Sequence, residues 1–425
     1  MAARISRRRF IQTTAGAAGA LALGGADRLL SAAPSLPSPK SSGIDHIVVV
    51  TMENRSFDHM MGWVPGAEGM QAGLIYSDEA GVEYPTRRAP DFQGCGHPDP
   101  DHSYDGGRTQ FNGGDCDGWL RADDNPETDD YPIWYYTDAD LQFFAGAAHD
   151  WTICDQYFSS IMGPTFPNRI YSHSAQTDRI ENSFELSTLP TIWDRLAERR
   201  VSAGYYFSDV PFLALWGAKY QPISHRISTF FEQCRTGKLP AVSYVDPRFI
   251  DEERGLSNDD HPHADLRNGQ AFQYSIYDAV TTGKAWRNTM IVFQYDEWGG
   301  FFDHVAPTTA PITEHERDVL NIDGLRGFRV PAIIVAPFAQ RGHVANTVFD
   351  HTSVLRFIEW RWKLDPLTER DATAANLAEA LDFSNRSLDA PAYVVDPAPG
   401  QTLCDFEVDK WETMRTIAAL YGFFA

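Results

Sequence analysis

Several common catalytic signatures are absent from this 425-residue chain. It contains no Walker A loop, no GxSxG elbow and no HExxH helix, so the enzyme classes built on these motifs find no support. Without the GxSxG elbow, an α/β-hydrolase esterase is a poor candidate. Without a GxGxxG turn after a predicted strand, a nicotinamide-dependent enzyme is poorer still. The chain also lacks low-complexity tracts and convincing internal repeats, which indicates an ordinary globular protein.

Cysteine and positive charge are both scarce. The five cysteines include no CxxC pair, which argues against a zinc–thiolate site. Cys95 and Cys116 bracket one loop and are candidates for a disulfide in an oxidising compartment. Lysine and arginine number 36 against 58 aspartates and glutamates, for a formal net charge of −22. So acidic a surface repels phosphate backbones, and we expect no nucleic-acid partner.

The N-terminal apolar run is too short to span a bilayer, which takes about 20 residues. It follows the basic stretch SRRRFIQ and precedes the small residues of SAAPSLP, an order typical of a twin-arginine export signal. The alternative is a basic tail before a membrane anchor. We predict a signal over residues 1–33, a linker over residues 34–43 and a single domain over residues 44–425. The twin-arginine machinery would export the protein, without a stable membrane anchor, to the periplasm, cell wall or medium.

Apolar and amphipathic stretches alternate along the chain. The predicted strands are IDHIVVVTM, VSAGYYF, AVSYVDP, TMIVFQYDE and VPAIIVAPF, and the predicted helices include NGQAFQYSIYDAVTTG and HTSVLRFIEWRW. This alternation predicts an α/β fold with a mostly parallel central sheet flanked by helices. The abundance of glycine, proline and aromatic residues predicts long loop insertions. Aromatic-rich stretches such as YPIWYY and VPFLALW either contact lipid or pack beneath these loops.

Oxygen donors follow two of the predicted strands directly. VVVTMEN ends in Glu53 and Asn54, and IVFQYDE ends in Asp296 and Glu297. Ligands of open α/β sheets bind at the carboxyl ends of the strands. If the two strands are near neighbours, the four donors suit a hard divalent cation, whether Ca, Mg or Zn. The alternative is two strand ends with a purely structural role.

A candidate nucleophile lies in the stretch GPTFPNRIY. Gly-Pro forms a tight turn before Thr165, and Pro167 suits the first turn of a helix. A helix N-terminus favours an anion, and a cation beside it would help Thr165 to lose its proton and attack phosphorus. The alternative is a threonine that only caps its helix.

Five histidines stand in polar stretches, and most of them are next to an aspartate, an arrangement that orients imidazole as a proton donor or ligand. They are His102, His261, His263, His304 and His351. For His351 the alternative is a cap of the helix that starts at Thr352.

Six stretches together resemble a known family. HIVVVTMENRSFDHMMGW, DPDHSYDGGRTQFNGGDCDGW, MGPTFPNRIYSHSAQTD, DDHPHADLRNGQAF, YDEWGGFFDHVAP and FDHTSVLRFIE look like the bacterial phospholipase C / acid phosphatase phosphoesterases of the alkaline-phosphatase-like superfamily. The matches run in family order over about residues 44–360. The resemblance implies an alkaline-phosphatase-like fold and a phosphoesterase catalytic domain over residues 44–425.

The resemblance also implies roles for individual residues. One divalent cation would be bound by Glu53, Asn54, Asp296, Glu297 and the Thr165 hydroxyl. The implied catalytic residues are Thr165, His102, His261 and His304. The implied substrate contacts are His263, Asn168, Asp303 and His351.

The function predicted on this basis is an exported, metal-dependent phosphoric ester hydrolase. A phospholipase C-type cleavage of phosphodiesters such as phosphatidylcholine, through a covalent phosphothreonine, is the first expectation, so the partner is a phosphate ester and possibly a phospholipid. An acid or broad-specificity phosphomonoesterase is the first alternative. The second is a non-catalytic exported metal-binding protein.

Overall fold

The main sheet is built from the apolar stretches that the sequence predicts as strands. The computed structural model describes residues 36–122, 129–400, 402–405 and 410–424, and the predicted signal over residues 1–33 lies outside them. From Pro37 onward the chain forms one compact unit. Within the described ranges, no helix is both long and apolar enough to cross a membrane.

The strands, in chain order, are β1 (His46–Met52), β2 (Ile75–Ser77), β3 (Glu83–Pro85), β4 (Arg87–Arg88), β5 (Trp134–Tyr135), β6 (Thr152–Cys154), β7 (Tyr157–Phe158), β8 (Ala203–Phe207), β9 (Ser224–Arg226), β10 (Val242–Asp246), β11 (Thr289–Tyr295), β12 (Ala332–Val335), β13 (His343–Ala345) and β14 (Phe349–Asp350). Eight of them form the main sheet in the order β13-β6-β12-β11-β1-β10-β8-β9. All neighbours pair in parallel except β12, which is antiparallel to β11 and β6. The predicted α/β fold with a mostly parallel sheet is therefore confirmed.

The α-helices flank this sheet and its loops. They are α1 (Phe57–Met61), α2 (Tyr104–Phe111), α3 (Gln142–Asp150), α4 (Thr165–Ser174), α5 (Ile192–Glu198), α6 (Ile227–Thr236), α7 (Leu266–Thr281), α8 (Glu314–Asp318), α9 (His351–Trp362), α10 (Glu369–Thr373) and α11 (Lys410–Leu420). Short 3-10 turns cover Pro39–Ser41, Asn112–Gly114, Tyr131–Ile133, Phe212–Ile223, Trp286–Asn288 and Leu377–Ala380.

Strand β1 lies at the centre of the sheet between β11 and β10. Every residue of β11, and every residue of β1 after His46, is buried, as expected for a parallel strand covered on both faces. The register pairs Met52 with Tyr295. The residues that follow these two positions therefore leave the sheet side by side.

The aromatic-rich stretches pack inward. In YPIWYY the rings of Tyr131, Trp134 and Tyr136 are buried, and in VPFLALW the rings of Phe212 and Trp216 are buried. Their packing in the interior agrees with the second of the two interpretations, and these rings are not a surface for lipid.

The predicted Cys95–Cys116 disulfide is wrong. Cys95 is bonded to Cys404, 309 residues further along the chain. The Cys116 thiol is free and buried in an apolar cluster with Trp119 and Phe328. Sequence proximity misled the prediction, because burial directs Cys116 into the core while Cys95 meets the C-terminal segment.

Candidate active site

The two donor pairs after β1 and β11 meet at one end of the sheet. The Asn54 backbone N–H donates to Asp296 Oδ1 at 3.3 Å, and the Arg55 N–H donates to the Glu297 carbonyl at 3.0 Å. Asn54 has a positive φ of 62°, a conformation that asparagine tolerates better than most residues. The predicted convergence of the two strand ends is thus present.

The turn after β11 needs glycine. Gly299 has a φ of +65°, and a Cβ there would lie 2.1 Å from the Asn54 carbonyl oxygen. Its N–H donates to Glu297 Oε2 at 2.6 Å. The turn therefore orients one Glu297 oxygen and leaves the other, Oε1, without a hydrogen-bond partner among the described residues.

Thr165 is the first residue of α4, and Pro164 occupies the N-cap position. The interpretation of Thr165 as a helix cap therefore does not hold. Its hydroxyl oxygen is buried and has no hydrogen-bond partner in the described part of the chain. A buried hydroxyl left without a partner is unfavourable, so the Thr165 oxygen can accept a ligand without losing an internal hydrogen bond of the described structure.

Arg169 ties α4 to the strand ends. Its Nε lies 2.9 Å from Asp296 Oδ2 and 3.7 Å from Glu53 Oε1, and its outer nitrogens contact Asp246 and the Thr51 carbonyl. Because residues four apart lie on the same helix face, this contact brings the start of α4 to the donor pairs.

Five buried oxygens of the predicted metal ligands have no hydrogen-bond partner among the described residues. They are Glu53 Oε1 and Oε2, Asn54 Oδ1, Glu297 Oε1 and Thr165 Oγ. Carboxylate, amide and hydroxyl oxygens are the ligands that hard divalent cations prefer. Asp296 differs, since its oxygens already contact Arg169 and two backbone N–H groups. The residues present therefore fit a divalent cation.

Several carboxylates of this region are buried close to one another. Burial raises the pKa of Glu297 to about 7, with Asp99 and Glu53 adding to the effect and His102 opposing it. Burial and the Glu53 carboxylate raise the pKa of Asp259 well above its ordinary value. A bound cation would relieve this crowding of negative charge.

His102 and His261 belong to this cluster. His102 Nε2 lies 3.1 Å from Asn54 Nδ2 and 3.8 Å from Glu297 Oε1, and its Nδ1 contacts the Pro100 carbonyl at 2.7 Å. Burial lowers the pKa of His102, but the Glu297 and Asp99 carboxylates outweigh it and raise the pKa to about 9.

His261 is fully buried, and its Nε2 lies 3.5 Å from Asp99 Oδ2. Neither ring nitrogen has a hydrogen-bond partner among the described residues. His263 differs, because its ring contacts Glu253 at 2.8 Å and the His97 carbonyl at 3.1 Å. His261 is therefore available for chemistry, whereas His263 supports the loop around it.

His304 and Asp303 belong to a second cluster, which surrounds Asp58 of α1. The His304 ring and backbone N–H both bind the Asp58 carboxylate, and Arg329 Nε lies 2.9 Å from Asp303 Oδ1. Burial raises the pKa of Asp303 to about 6, although Arg329 opposes this. The hydrogen bonds of His304 thus go to Asp58 and not to the donors at the strand ends.

Two predicted substrate contacts have other roles in the structure. The Asn168 amide binds the Ile161 N–H and the carbonyls of Ile161, Gly163 and Pro164, so it braces the turn before Thr165. His351 is buried, with its nitrogens on Ser160 and on the Tyr295 carbonyl. Internal hydrogen bonds occupy both side chains, and their contacts with substrate stay predictions. His351 is also not the helix cap, a position that Asp350 takes.

Sequence reasoning missed several charged residues that surround the strand ends: Asp99, Arg169, Glu252, Asp259 and Lys410. Asp99 and Arg169 stand inside the stretches DPDH and PNR and could have been found there. Asp259 contributes its carbonyl to the Glu53 N–H at 2.8 Å. Lys410, 3.0 Å from Glu252, carries no signal in its local sequence.

A pocket of about 310 Å³ opens beside this cluster. Its lining includes Asp99, His102, Tyr104, Pro164 and Asn182. The pocket therefore borders the residue that directly precedes Thr165.

The chain is similar to several known proteins. The model of the Phosphoesterase family matches residues 44–365. Non-specific phospholipase C6 of Arabidopsis thaliana is 28% identical over 397 residues, 84% of this chain and 76% of that protein. Phospholipase C B of Mycobacterium tuberculosis is 30% identical over 416 residues, 80% of this chain and 78% of that protein. A solved structure of an alkaline phosphatase superfamily protein from Vibrio parahaemolyticus is similar with TM-score 0.40 and 11% identity, over 91% of each chain. The chain therefore belongs to the phosphoesterase family and is a phosphoric ester hydrolase.

Proposed function

We propose that this hydrolase is a metal-dependent enzyme of the phospholipase C type, which cleaves phosphodiesters such as phosphatidylcholine through a covalent phosphothreonine on Thr165. The observation that carries the proposal is the Thr165 hydroxyl, which is buried at the start of α4 without a hydrogen-bond partner among the described residues. The names of the relatives at 28% and 30% identity support the phospholipase C type.

One divalent cation, Ca, Mg or Zn, would be held by the unpartnered oxygens at the strand ends and by Asp296. Those oxygens belong to Glu53, Asn54, Glu297 and Thr165. When bound, such a cation supplies Lewis-acid stabilisation of the negative charge on the phosphoryl oxygens.

The chain's own residues would carry out two displacements. In the first, the Thr165 oxygen forms a bond to phosphorus while the bond from phosphorus to the glycerol oxygen breaks. His261 takes the hydroxyl proton and passes it to the leaving alkoxide, while the positively charged His102 ring stabilises negative charge on the phosphoryl oxygens. His102 and His261 are preferred to His304. His102 Nε2 lies 3.8 Å from Glu297 Oε1 and His261 Nε2 lies 3.5 Å from Asp99 Oδ2, whereas His304 is bonded to Asp58.

In the second displacement, water attacks the phosphothreonine. His261 takes a proton from the water and returns it to Thr165, which releases phosphocholine and restores the hydroxyl. The N-terminus of α4 favours negative charge throughout both steps.

A comparison of two chromogenic substrates tests the proposal. Initial rates are measured with p-nitrophenyl phosphorylcholine and with p-nitrophenyl phosphate, before and after chelation and after adding back single cations. We expect the diester to be hydrolysed with the higher kcat/KM and chelation to abolish the rate. A preference for the monoester would assign the phosphomonoesterase alternative. No hydrolysis of either substrate under any cation would contradict the proposal and leave a metal-binding protein.

We also propose export by the twin-arginine route. The basic stretch SRRRFIQ supports it, and the Cys95–Cys404 disulfide suits an oxidising compartment. Replacing Arg7 and Arg8 by lysine should leave the protein in the cytoplasm in cell fractionation, while the unmodified chain leaves it. Equal distributions of the two proteins would contradict this route.

A further inference from the structure

Helix α11 lies beyond residues 44–365, the part that the family model matches, yet it contacts the candidate active site. Cys404, six residues before the helix, is bonded to Cys95, which lies four residues before Asp99. The Cys404 N–H also donates to the Arg254 carbonyl at 3.1 Å. The segment before α11 is therefore fastened to the loops that carry the acidic residues of the site.

Trp411 places the first turn of α11 against the nucleophile segment. Its ring is fully buried, stacks on Phe249 at 4.2 Å and contacts Phe166 at 5.5 Å. Phe166 directly follows Thr165. The Trp411 Nε1–H donates to Glu252 Oε2 at 2.5 Å, so this contact also orients a carboxylate of the site.

Lys410 stands beside Trp411 and contacts the other oxygen of the same carboxylate. Its Nζ lies 3.0 Å from Glu252 Oε1, and its side chain is 20% exposed. Although burial lowers the pKa of Lys410, the carboxylates of Glu252, Glu53 and Asp99 raise it above its ordinary value. The ammonium is thus positively charged and interacts electrostatically with these carboxylates.

Arg169 and Lys410 differ in how many of their N–H groups already have a hydrogen-bond partner. The Arg169 guanidinium is 3% exposed and is bound by Asp296, Asp246 and the Thr51 carbonyl. The Lys410 ammonium has three N–H donors, has Glu252 as its contact, and is partly open to solvent. Of these two cations, Lys410 is the one with donors left for an incoming anion.

We propose that Lys410 binds a non-bridging oxygen of the substrate phosphoryl group, so that the disulfide-fastened C-terminal helix completes the substrate site. The inference rests on the proposed function for its substrate. Glu252 and Trp411 act as positioning residues, since they orient the ammonium without reaching the phosphoryl group themselves.

Binding of inorganic phosphate tests this proposal without any need for turnover. The dissociation constant of phosphate is measured by calorimetry for the full chain with its cation and for three variants. Lys410→Gln keeps a hydrogen-bond donor for Glu252 but removes the charge, Lys410→Arg keeps the charge, and Lys219→Gln removes a surface lysine that pairs with Asp194.

We expect Lys410→Gln to weaken phosphate binding by about tenfold or more, the loss of one charge-assisted hydrogen bond. The phosphate dissociation constant of Lys410→Arg should stay within about threefold of that of the unmodified protein. The dissociation constant of Lys219→Gln should equal that of the unmodified protein, because one surface charge is screened by salt. With p-nitrophenyl phosphorylcholine, Lys410→Gln should raise KM more than it lowers kcat.

Unchanged phosphate affinity in folded Lys410→Gln would overturn the proposal, as would an equal loss in Lys219→Gln. A fall in kcat and in melting temperature, with phosphate affinity unchanged, would show that Lys410 only neutralises Glu252. If the unmodified protein binds phosphate but hydrolyses no ester, the proposed function fails while the result for Lys410 still stands.

Discussion

The contacts of the Thr165 hydroxyl distinguish a structural role for this residue from a chemical one. As a cap it would accept a hydrogen bond from the backbone of its helix, but Pro164 holds that position and the Thr165 hydroxyl has no partner among the described residues. Removing the hydroxyl therefore deletes no internal hydrogen bond of the described structure.

We expect Thr165→Ala to lower kcat/KM by a factor on the order of 10⁴ or more, as loss of a nucleophile does. The melting temperature should not fall, because an unsatisfied buried polar atom is removed. Thr165→Ser keeps a hydroxyl and serves as the control, with measurable activity. A Thr165→Ala protein that hydrolyses its substrate at the native rate would exclude the phosphothreonine.

Among the predicted metal ligands, Glu53 is the carboxylate whose two oxygens both lack a hydrogen-bond partner in the described structure. We expect Glu53→Gln to lower the bound divalent cation, measured by elemental analysis, because a charged ligand is replaced by a neutral one. Glu232→Gln is the control, as Glu232 is an exposed carboxylate paired with Arg235. Equal metal content in the two variants would contradict the assigned ligands.

At the scale of elements, helices α9 and α10 hold a buried carboxyl pair away from the site. Glu359 on α9 is buried beside Asp371 on α10, with Arg356 and Arg195 as the opposing cations. Burial and the Asp371 carboxylate raise the pKa of Glu359 to about 10. In the folded protein Glu359 therefore keeps its proton at neutral pH, whereas in the unfolded chain it is ionised.

The difference in Glu359 protonation between the folded and unfolded chain fixes the direction in which stability changes with pH. Because the folded pKa is raised, the stabilising contribution of Glu359 is fully present below its ordinary pKa of about 4.5 and is lost as the pH rises towards 10. We expect Glu359→Gln to raise the melting temperature at pH 8 and to change it little at pH 4. Glu369→Gln, an exposed change on α10, is the control. A gain for Glu359→Gln that does not depend on pH would refute this linkage.

At the scale of the whole molecule, the Cys95–Cys404 disulfide joins the loop before Asp99 to the segment before α11. Such a cross-link restricts the unfolded chain, and its loss commonly lowers the free energy of unfolding by about 2–5 kcal/mol. We expect the double variant Cys95→Ser, Cys404→Ser to melt at a lower temperature than the unmodified protein. Reductant should lower the melting temperature of the unmodified protein only. Titration of more than three thiols in the denatured, unreduced protein would show that the bond is not there.

Local patterns predicted the parts of the site that lie next to the sheet. The runs VVVTM and IVFQY are apolar enough to be buried on both faces, and a parallel sheet aligns the ends of its strands. This predicted that Glu53, Asn54, Asp296 and Glu297 would converge if the two strands are near neighbours, a condition that the pairing of β1 with β11 meets. The same reasoning reached Thr165, because Gly-Pro and Pro167 indicate a turn followed by a helix.

Patterns in the sequence do not show which contacts a side chain makes when its chemistry suits several of them. An asparagine binds a substrate or braces a turn with the same amide, and Asn168 does the latter. A histidine beside an aspartate can serve as a metal ligand, as an acid or as a buried residue that joins two segments by hydrogen bonds. His351 is hydrogen-bonded in this last way to Ser160 and to the Tyr295 carbonyl. Which use applies depends on the partners that long-range packing supplies.

Hydrophobic periodicity and turn chemistry act over a few residues, and they were enough to predict the α/β architecture, the two acidic strand ends and the threonine at a helix start. Long-range packing instead selects which cysteines pair, which histidines lack internal partners and where Lys410 lies. Those outcomes depend on contacts between segments up to 309 residues apart, and burial and charge compensation, which no local pattern encodes, select among them.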